Sequence, residues 1–158
     1  MIVAWRIVKT KYSSAAFTGD GASLEGGRWN SPGTSLVYVS SSASLALLET
    51  LVNLESLAPL PAYSLVRIEF EEVLVERLHE DTVPANWLAY PPPAETQQIG
   101  DLWVASARSC ILAVPSTIIP HELNYLINPA HPSFGTISIG SAEVLQIDAR
   151  IRDLIRSG

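Results

Sequence analysis

The chain has 158 residues, 47% of them apolar and only 16% charged, with a net charge of −6. That length and apolar content predict one domain spanning residues 1–158 with a sizeable core, and exclude a disordered chain. With 16 acidic residues against 10 basic ones, direct nucleic-acid binding is disfavoured, because it rests on many Lys and Arg contacts to phosphate.

The lone Cys110 cannot form an internal disulfide and fits a reducing cytoplasm. The opening MIVAWRIVK is too short for a secretory signal and already carries Arg6, and no apolar run has the length of a membrane span. A cytoplasmic protein is expected, and its low surface charge favours a partner or a homodimer.

In chain order, IVAWRIV has the β-branched content of a strand, and Lys9 to Lys11 lead it into a polar loop. GDGASLEGG (19–27) is rich in turn formers and reads as loop up to Arg28. SLVYVS predicts a buried strand with Tyr38 near its end. Residues 40–57 then predict a helix with serines available as N-cap, closed by Pro59 and Pro61. Residues 63–78 alternate as one long or two short strands. PANWLAYPPPAE (84–95) reads as a proline-rich surface excursion. Residues 96–109 look helical despite Gly100, 110–116 reads as a strand, and 118–134 as mostly loop with a helical turn. TISIG and EVLQID predict closing strands, and ARIRDLIRS a short C-terminal helix. Strands outnumber helices, and the helices do not alternate with them, which predicts an α+β fold.

Two groups stand out chemically. On a helical wheel Glu49 falls about 40° from the line of Leu45, Leu48 and Val52, at the margin of the apolar face. There it is either a boundary glutamate that reaches water or a partly desolvated carboxylate. Arg28 follows Gly26 and Gly27; its planar donor fork either bonds loop carbonyls or is aimed at an anion. GDGASLEGG lacks the order of a nucleotide-binding glycine fingerprint. HELNY begins like a zinc-protease motif, but Tyr125 stands where the second histidine belongs. With His79, His121 and His131 at no metal-ligand spacing, no metal is expected. Ser116 lacks the flanking glycines of a hydrolase elbow.

Taken together, WRIV (5–8), GASLEGGRWNSPGTSLVYVS (21–40), SLALLETLVNL (44–54), YSLVRIEF (63–70), QQIGDLWV (97–104), AVPSTIIPHELNYLINPAHPSF (113–134) and IDARI (147–151) resemble the RES domain family, over almost the whole chain. The resemblance implies an ADP-ribosyltransferase-like fold of mostly antiparallel strands with flanking helices. It implies a toxin of a type II toxin–antitoxin pair whose antitoxin is an Xre-like helix-turn-helix protein. It further implies cleavage of the nicotinamide–ribose bond of NAD⁺, a substrate rather than a resident cofactor, with phosphate or water as acceptor. Two alternatives stay open: ADP-ribosylation of a protein, and a catalytically idle module that only binds its antitoxin. By position the family's arginine is Arg28, its glutamate Glu49 and its serine Ser116. Tyr38 matches an aromatic position near the nicotinamide, and Asn128 and Arg6 are further residues implied near the pocket. The implied roles are charge stabilisation of the oxocarbenium-like ribose by Glu49, phosphate binding by Arg28 or Arg6, stacking by Tyr38, and a hydrogen bond to carboxamide or ribose from Ser116.

Overall fold

The computed structural model describes residues 1–54 and 62–156. Its strands, β1 (Ile2–Lys9), β2 (Val37–Ser40), β3 (Tyr63–Phe70), β4 (Val75–Arg77), β5 (Ile111–Pro115), β6 (Leu123–Ile127), β7 (Ser138–Ile139) and β8 (Glu143–Val144), join in one sheet. The order is β4-β5-β6-β2-β1-β3-β7, with β8 also on β3. Only β4 and β5 run parallel; the remaining pairings are antiparallel. Four helices, α1 (Asp20–Glu25), α2 (Ala43–Val52), α3 (Ala94–Ser106) and α4 (Ala149–Arg156), complete the α+β fold among the described residues.

The register sorts side chains between two cores, because directly opposed residues share a face. Val37, Ile127 and Ile111 lie in register, as do Val39, Tyr125 and Ala113; they build one core with Ala4, Val66, Ile68 and Phe70. The alternate residues Tyr38, Leu126 and Leu112 line the other face, where Trp29 and Trp103 cover them. Trp103 arrives on α3, whose seat depends on Gly100. A Cβ there would stand 1.7 Å from the Trp29 carbonyl oxygen, so the helix rests directly on that backbone.

β1 and β2 meet in a single register pair, Trp5 opposite Ser40, whereas β1 and β3 share eight pairs from Ile2–Phe70 to Lys9–Tyr63. Beside that sparse junction the Arg6 guanidinium supplies a donor to the Tyr38 carbonyl, Nη1 to O at 2.7 Å.

Several elements depart from the sequence reading. The loop expected over 19–27 holds α1, six residues between Gly19 and Gly26, both with positive φ. Residues 118–134, expected as mostly loop, contain β6, a central strand paired on both sides. Its Leu-Asn-Tyr-Leu-Ile run is short and bounded by Pro120 and Pro129, so local propensity gives no warning; pairing with β2 and β5 makes the strand. Residues 63–78 resolve into β3 and β4 around a turn at Glu72–Leu74. The closing strands shrink to two residues each. Helix α2 starts as expected, with Ser42 Oγ accepting from Leu45 N at 3.1 Å. Its expected closure at Pro59 and Pro61 lies outside the described residues.

Candidate functional site

Helix α2 is rotated relative to the expected apolar face. Leu45 and Ala46 are buried, while Leu48 and Val52 are 38% and 62% exposed. The inward stripe is therefore Ser42, Leu45, Ala46 and Glu49, at i, i+3, i+4 and i+7. Glu49 belongs to this stripe and is turned toward the sheet. Asn53, its neighbour one turn on, donates to the Glu49 backbone carbonyl at 2.7 Å and thus caps the helix.

Two neutral donors converge on one carboxylate oxygen. Ser116 Oγ donates to Glu49 Oε1 at 3.0 Å, and Asn124 Nδ2 donates to the same oxygen at 2.6 Å. Oε2 accepts no hydrogen bond among the described residues. Ser116 follows β5 and is fully buried; its oxygen also accepts from the amides of Ile118 and Ile119 at 3.1 and 3.2 Å. That turn fixes the hydroxyl, so its proton has one direction to go.

Asn124 is the second residue of β6, opposite Ser40 on β2. Ser40 Oγ donates to Asn124 Oδ1 at 2.8 Å. Neither residue stands out in the sequence, because its meaning comes from register: β6 was not expected as a strand, so no pairing with β2 was available to juxtapose them.

Arg28 lies on the segment entering β2. Its Nη1 donates to the carbonyls of Trp87 and Ala89, both at 2.7 Å. The proline-rich excursion is thus the backbone that seats the arginine. Trp87 packs against Trp29 with ring centroids 6.1 Å apart, which holds those carbonyls in place. Burial lowers the Arg28 pKa, and the nearby Glu49, Tyr38 and Tyr90 side chains pull it back up. Arg28 and Glu49 therefore share a field, although no ion pair joins them among the described residues. The glycines before Arg28 serve the protein itself. Gly26 adopts a positive φ of 74°, and a Cβ on Gly27 would stand 2.7 Å from the Tyr38 hydroxyl.

That hydroxyl is engaged. It donates to Asn30 Oδ1 at 2.6 Å and accepts from Trp29 N at 3.2 Å; burial, the leading cause, raises its pKa. Asn30, itself fully buried, donates to the carbonyls of Ala22, Ser31 and Thr34. Tyr38 thus ties the Arg28 segment to β2, leaving only the ring for other contacts.

Arg6 donates to Ala16 O and Tyr38 O, each at 2.7 Å, and its guanidinium carbon lies 6.0 Å from the Phe17 ring centre. Burial lowers its pKa to about 10, which still leaves a cation at neutral pH. Asn128 sits past the far end of β6, where its Oδ1 accepts from Ala130 N at 3.0 Å in a local turn. The structure therefore gathers Glu49 and Ser116 around Asn124, holds Arg28 in the field of Glu49, ties Arg6 to the Tyr38 backbone carbonyl, and leaves Asn128 beyond the far end of β6. Chemically this is a half-buried carboxylate held by neutral donors, in the field of Arg28, which is itself held by neutral carbonyls. It suits a substrate that carries anionic groups and develops positive charge at one carbon.

Comparisons with known proteins identify the family and the fold. The family model of the RES domain matches residues 3–148. "Toxin Res" of Yersinia enterocolitica is 43% identical over 135 residues, 85% of this chain and 89% of that protein. "Prs ADP-ribosylating toxin" of a Sphingobium strain is 44% identical over 134 residues, 81% of this chain and 83% of that protein. Among solved structures, a chain of the M. tuberculosis MbcT–MbcA toxin–antitoxin complex superposes with a TM-score of 0.76, covering 99% of this chain and 90% of its own, at 16% identity. That likeness gives the fold, a mixed α+β domain, and the sequence matches give the family: the chain belongs to the RES domain family.

Proposed function

We propose that the chain is the toxin of a toxin–antitoxin pair and that it consumes NAD⁺ by cleaving the nicotinamide–ribose bond. The observation that carries this reading is Glu49: one carboxylate oxygen held by Ser116 and Asn124, the other accepting no hydrogen bond among the described residues, on the side of the sheet shared with Tyr38. When the C1′–N bond breaks, its electron pair leaves with nicotinamide, which departs neutral, and the ribose carbon becomes oxocarbenium-like. Glu49 Oε2 stabilises that charge and accepts from a ribose hydroxyl. Arg28 retains donors beyond the two carbonyl bonds and holds the pyrophosphate. Arg6, a cation without a carboxylate partner among the described residues, suits an attacking inorganic phosphate. Attack of a phosphate oxygen on C1′ gives ADP-ribose-1″-phosphate. Attack of water gives ADP-ribose and a proton. Ser116 acts here by holding Glu49, because its proton and its oxygen are both engaged.

A second reading has a specific support. The Sphingobium relative is named an ADP-ribosylating toxin, and a protein nucleophile at C1′ would use the same leaving-group chemistry. The partner proposed for this chain is an Xre-like antitoxin, with pairing of two toxin copies within the complex. The superposed chain comes from a toxin–antitoxin complex, which supports the first of these.

The test is nicotinamide release from NAD⁺ by the purified chain, with and without phosphate, beside Glu49→Gln. Release that requires phosphate and is lost in Glu49→Gln supports the phosphorylase, and release without phosphate supports water as acceptor. Release only when an acceptor protein is added, with mass-tagged product on that protein, moves the reading to protein modification. Equal release by Glu49→Gln would sink the role of the carboxylate.

A further inference from the structure

The register of the sheet sets up a hydrogen-bond chain that reaches further than the carboxylate. Ser40 and Asn124 are cross-strand partners, so their side chains emerge side by side on one face. Ser40 Oγ donates to Asn124 Oδ1 at 2.8 Å, and Asn124 Nδ2 donates to Glu49 Oε1 at 2.6 Å. Ser40 is buried at 5% exposure and touches neither Ser116 nor Arg28 through any hydrogen bond. The terminal torsion of an asparagine side chain is broad and two-fold, so its amide needs an outside reason to face one way. The wrong way would set a carbonyl oxygen against a carboxylate.

We infer that Ser40 is a positioning residue of the active site: by holding Asn124 Oδ1 it aims the Asn124 amide at Glu49 Oε1, and so leaves Oε2 as the one oxygen turned to substrate. Its kinetic consequence rests on the NAD-cleaving reading, but its geometry does not. A carboxylate held on one oxygen by two donors meets the transition state already oriented, which is where positioning affects rate rather than ground-state binding. Ser40 itself touches no substrate; it acts through Asn124.

The test has two arms. In the first, the side-chain amide of Asn124 is followed by ¹H–¹⁵N NMR, its signals assigned by their loss in Asn124→Ala. Ser40→Ala is expected to shift and broaden them and to speed their exchange with solvent, and unchanged signals overturn the inference whatever the enzyme acts on. In the second, NAD⁺ turnover is measured for Ser40→Ala, Asn124→Ala and the double variant. Ser40→Ala is expected to lower kcat about tenfold with KM within about twofold, the split that misplacement of a catalytic group produces. The double variant is expected to match Asn124→Ala, because Ser40 acts only through that amide. Losses that multiply, or a fall that appears in KM alone, overturn the relay. Circular dichroism checks folding. Should Ser40→Ala fail to fold, Ser40→Cys, nearly isosteric and a weaker donor, is put through both arms with the same expectations at smaller amplitude. A wild type that releases no nicotinamide, with the amide signals responding as expected, refutes the NAD reading and leaves the relay standing.

Discussion

Replacing Gly100 by alanine sets two effects of opposite sign against each other, and the structure decides between them. Gly100 sits inside α3, where alanine is favoured over glycine by about 1 kcal/mol on helix propensity alone. The added Cβ would stand 1.7 Å from Trp29 O and 2.8 Å from Trp29 C. The first distance is about 1.5–2 Å inside ordinary contact, and the obstacle is backbone, which has no rotamer to change. Helix and segment must therefore separate. Separation strains the contacts that clamp them: Ser31 N to Asp101 Oδ1 at 3.0 Å, the Ser31 hydroxyl to the other Asp101 oxygen, and Gln97 Nε2 to Gly27 O at 3.0 Å. It also loosens Trp29 and Trp103, each 2% exposed. Overpacking costs about 1–3 kcal/mol and weakened hydrogen bonds to a carboxylate add about 1.5–3. Net of the propensity gain, the expected loss is about 3 kcal/mol, or roughly 6–12 °C in Tm for a chain of this size. Thermal melts followed by circular dichroism measure it, with Gly21→Ala as control. Gly21 lies in α1 and a Cβ there meets nothing within 4 Å, so that change is expected to be neutral or slightly stabilising. A Gly100→Ala protein that melts at or above the wild-type temperature would refute the seating of α3 on the Trp29 carbonyl.

Ser116→Ala removes a donor to Glu49 and leaves the half-buried amides of Ile118 and Ile119 without their acceptor; urea titration should show a loss of about 1–3 kcal/mol, and a loss under about 1 would mean that water replaces the hydroxyl. Tyr38→Phe orphans Asn30 Oδ1 and Trp29 N and should cost about 1–3 kcal/mol, while the retained ring keeps NAD⁺ turnover within a few-fold; a complete loss of turnover in the folded variant would assign the hydroxyl a chemical role. Glu76 has its pKa lowered chiefly by the Arg108 hydrogen bond, with Ser109 assisting. A lowered carboxylate stabilises the fold above its unfolded value near 4.5 and loses that contribution as pH falls through the folded value. Glu76→Gln should therefore flatten the stability curve below about pH 4.5, by less than about 1 kcal/mol because the pair is largely exposed; an unchanged acid limb would refute the pairing.

The candidate site residues are legible in the sequence as residues, and their surroundings are not. Glu49 drew notice because a carboxylate near an apolar stripe is unusual. Yet the stripe itself was misjudged by about one residue position, since Leu48 and Val52 look like core and are exposed while Ala46 is buried. Periodicity finds an amphipathic helix but cannot tell which of two adjacent stripes meets the sheet when both contain leucine. The sequence leaves Arg28 open between bonding loop carbonyls and facing an anion; it bonds two carbonyls, and the glycines before it accommodate the Tyr38 hydroxyl and a positive φ. The excursion at 84–95 reads only as surface, because a carbonyl acceptor has no sequence signature: any residue at 87 and 89 presents one. Asn124 and Ser40 depend on strand pairing 84 residues apart, a contact that no local window contains.

The three charged groups proposed for the site are all held by neutral groups. Glu49 is bound by a hydroxyl and an amide, Arg28 by two carbonyls, and Arg6 by two more. A direct Glu49–Arg28 ion pair would have satisfied both and left neither for a ligand, and breaking it at each turnover would add its interaction energy to the barrier. Neutral donors and acceptors fix a charged side chain in place without cancelling its charge, and that separates a site poised to act on charge from a structural salt bridge. The three ion pairs identified, Arg67–Glu69, Arg108–Glu76 and Arg150–Asp148, all join residues outside this group. The proposed substrate, a dinucleotide with an anionic pyrophosphate and a pyridinium ring, carries charges of both signs complementary to such a site. On the reading proposed above, Arg28 would meet the phosphates, and the carboxylate would meet the ribose carbon on which positive charge develops as the bond breaks.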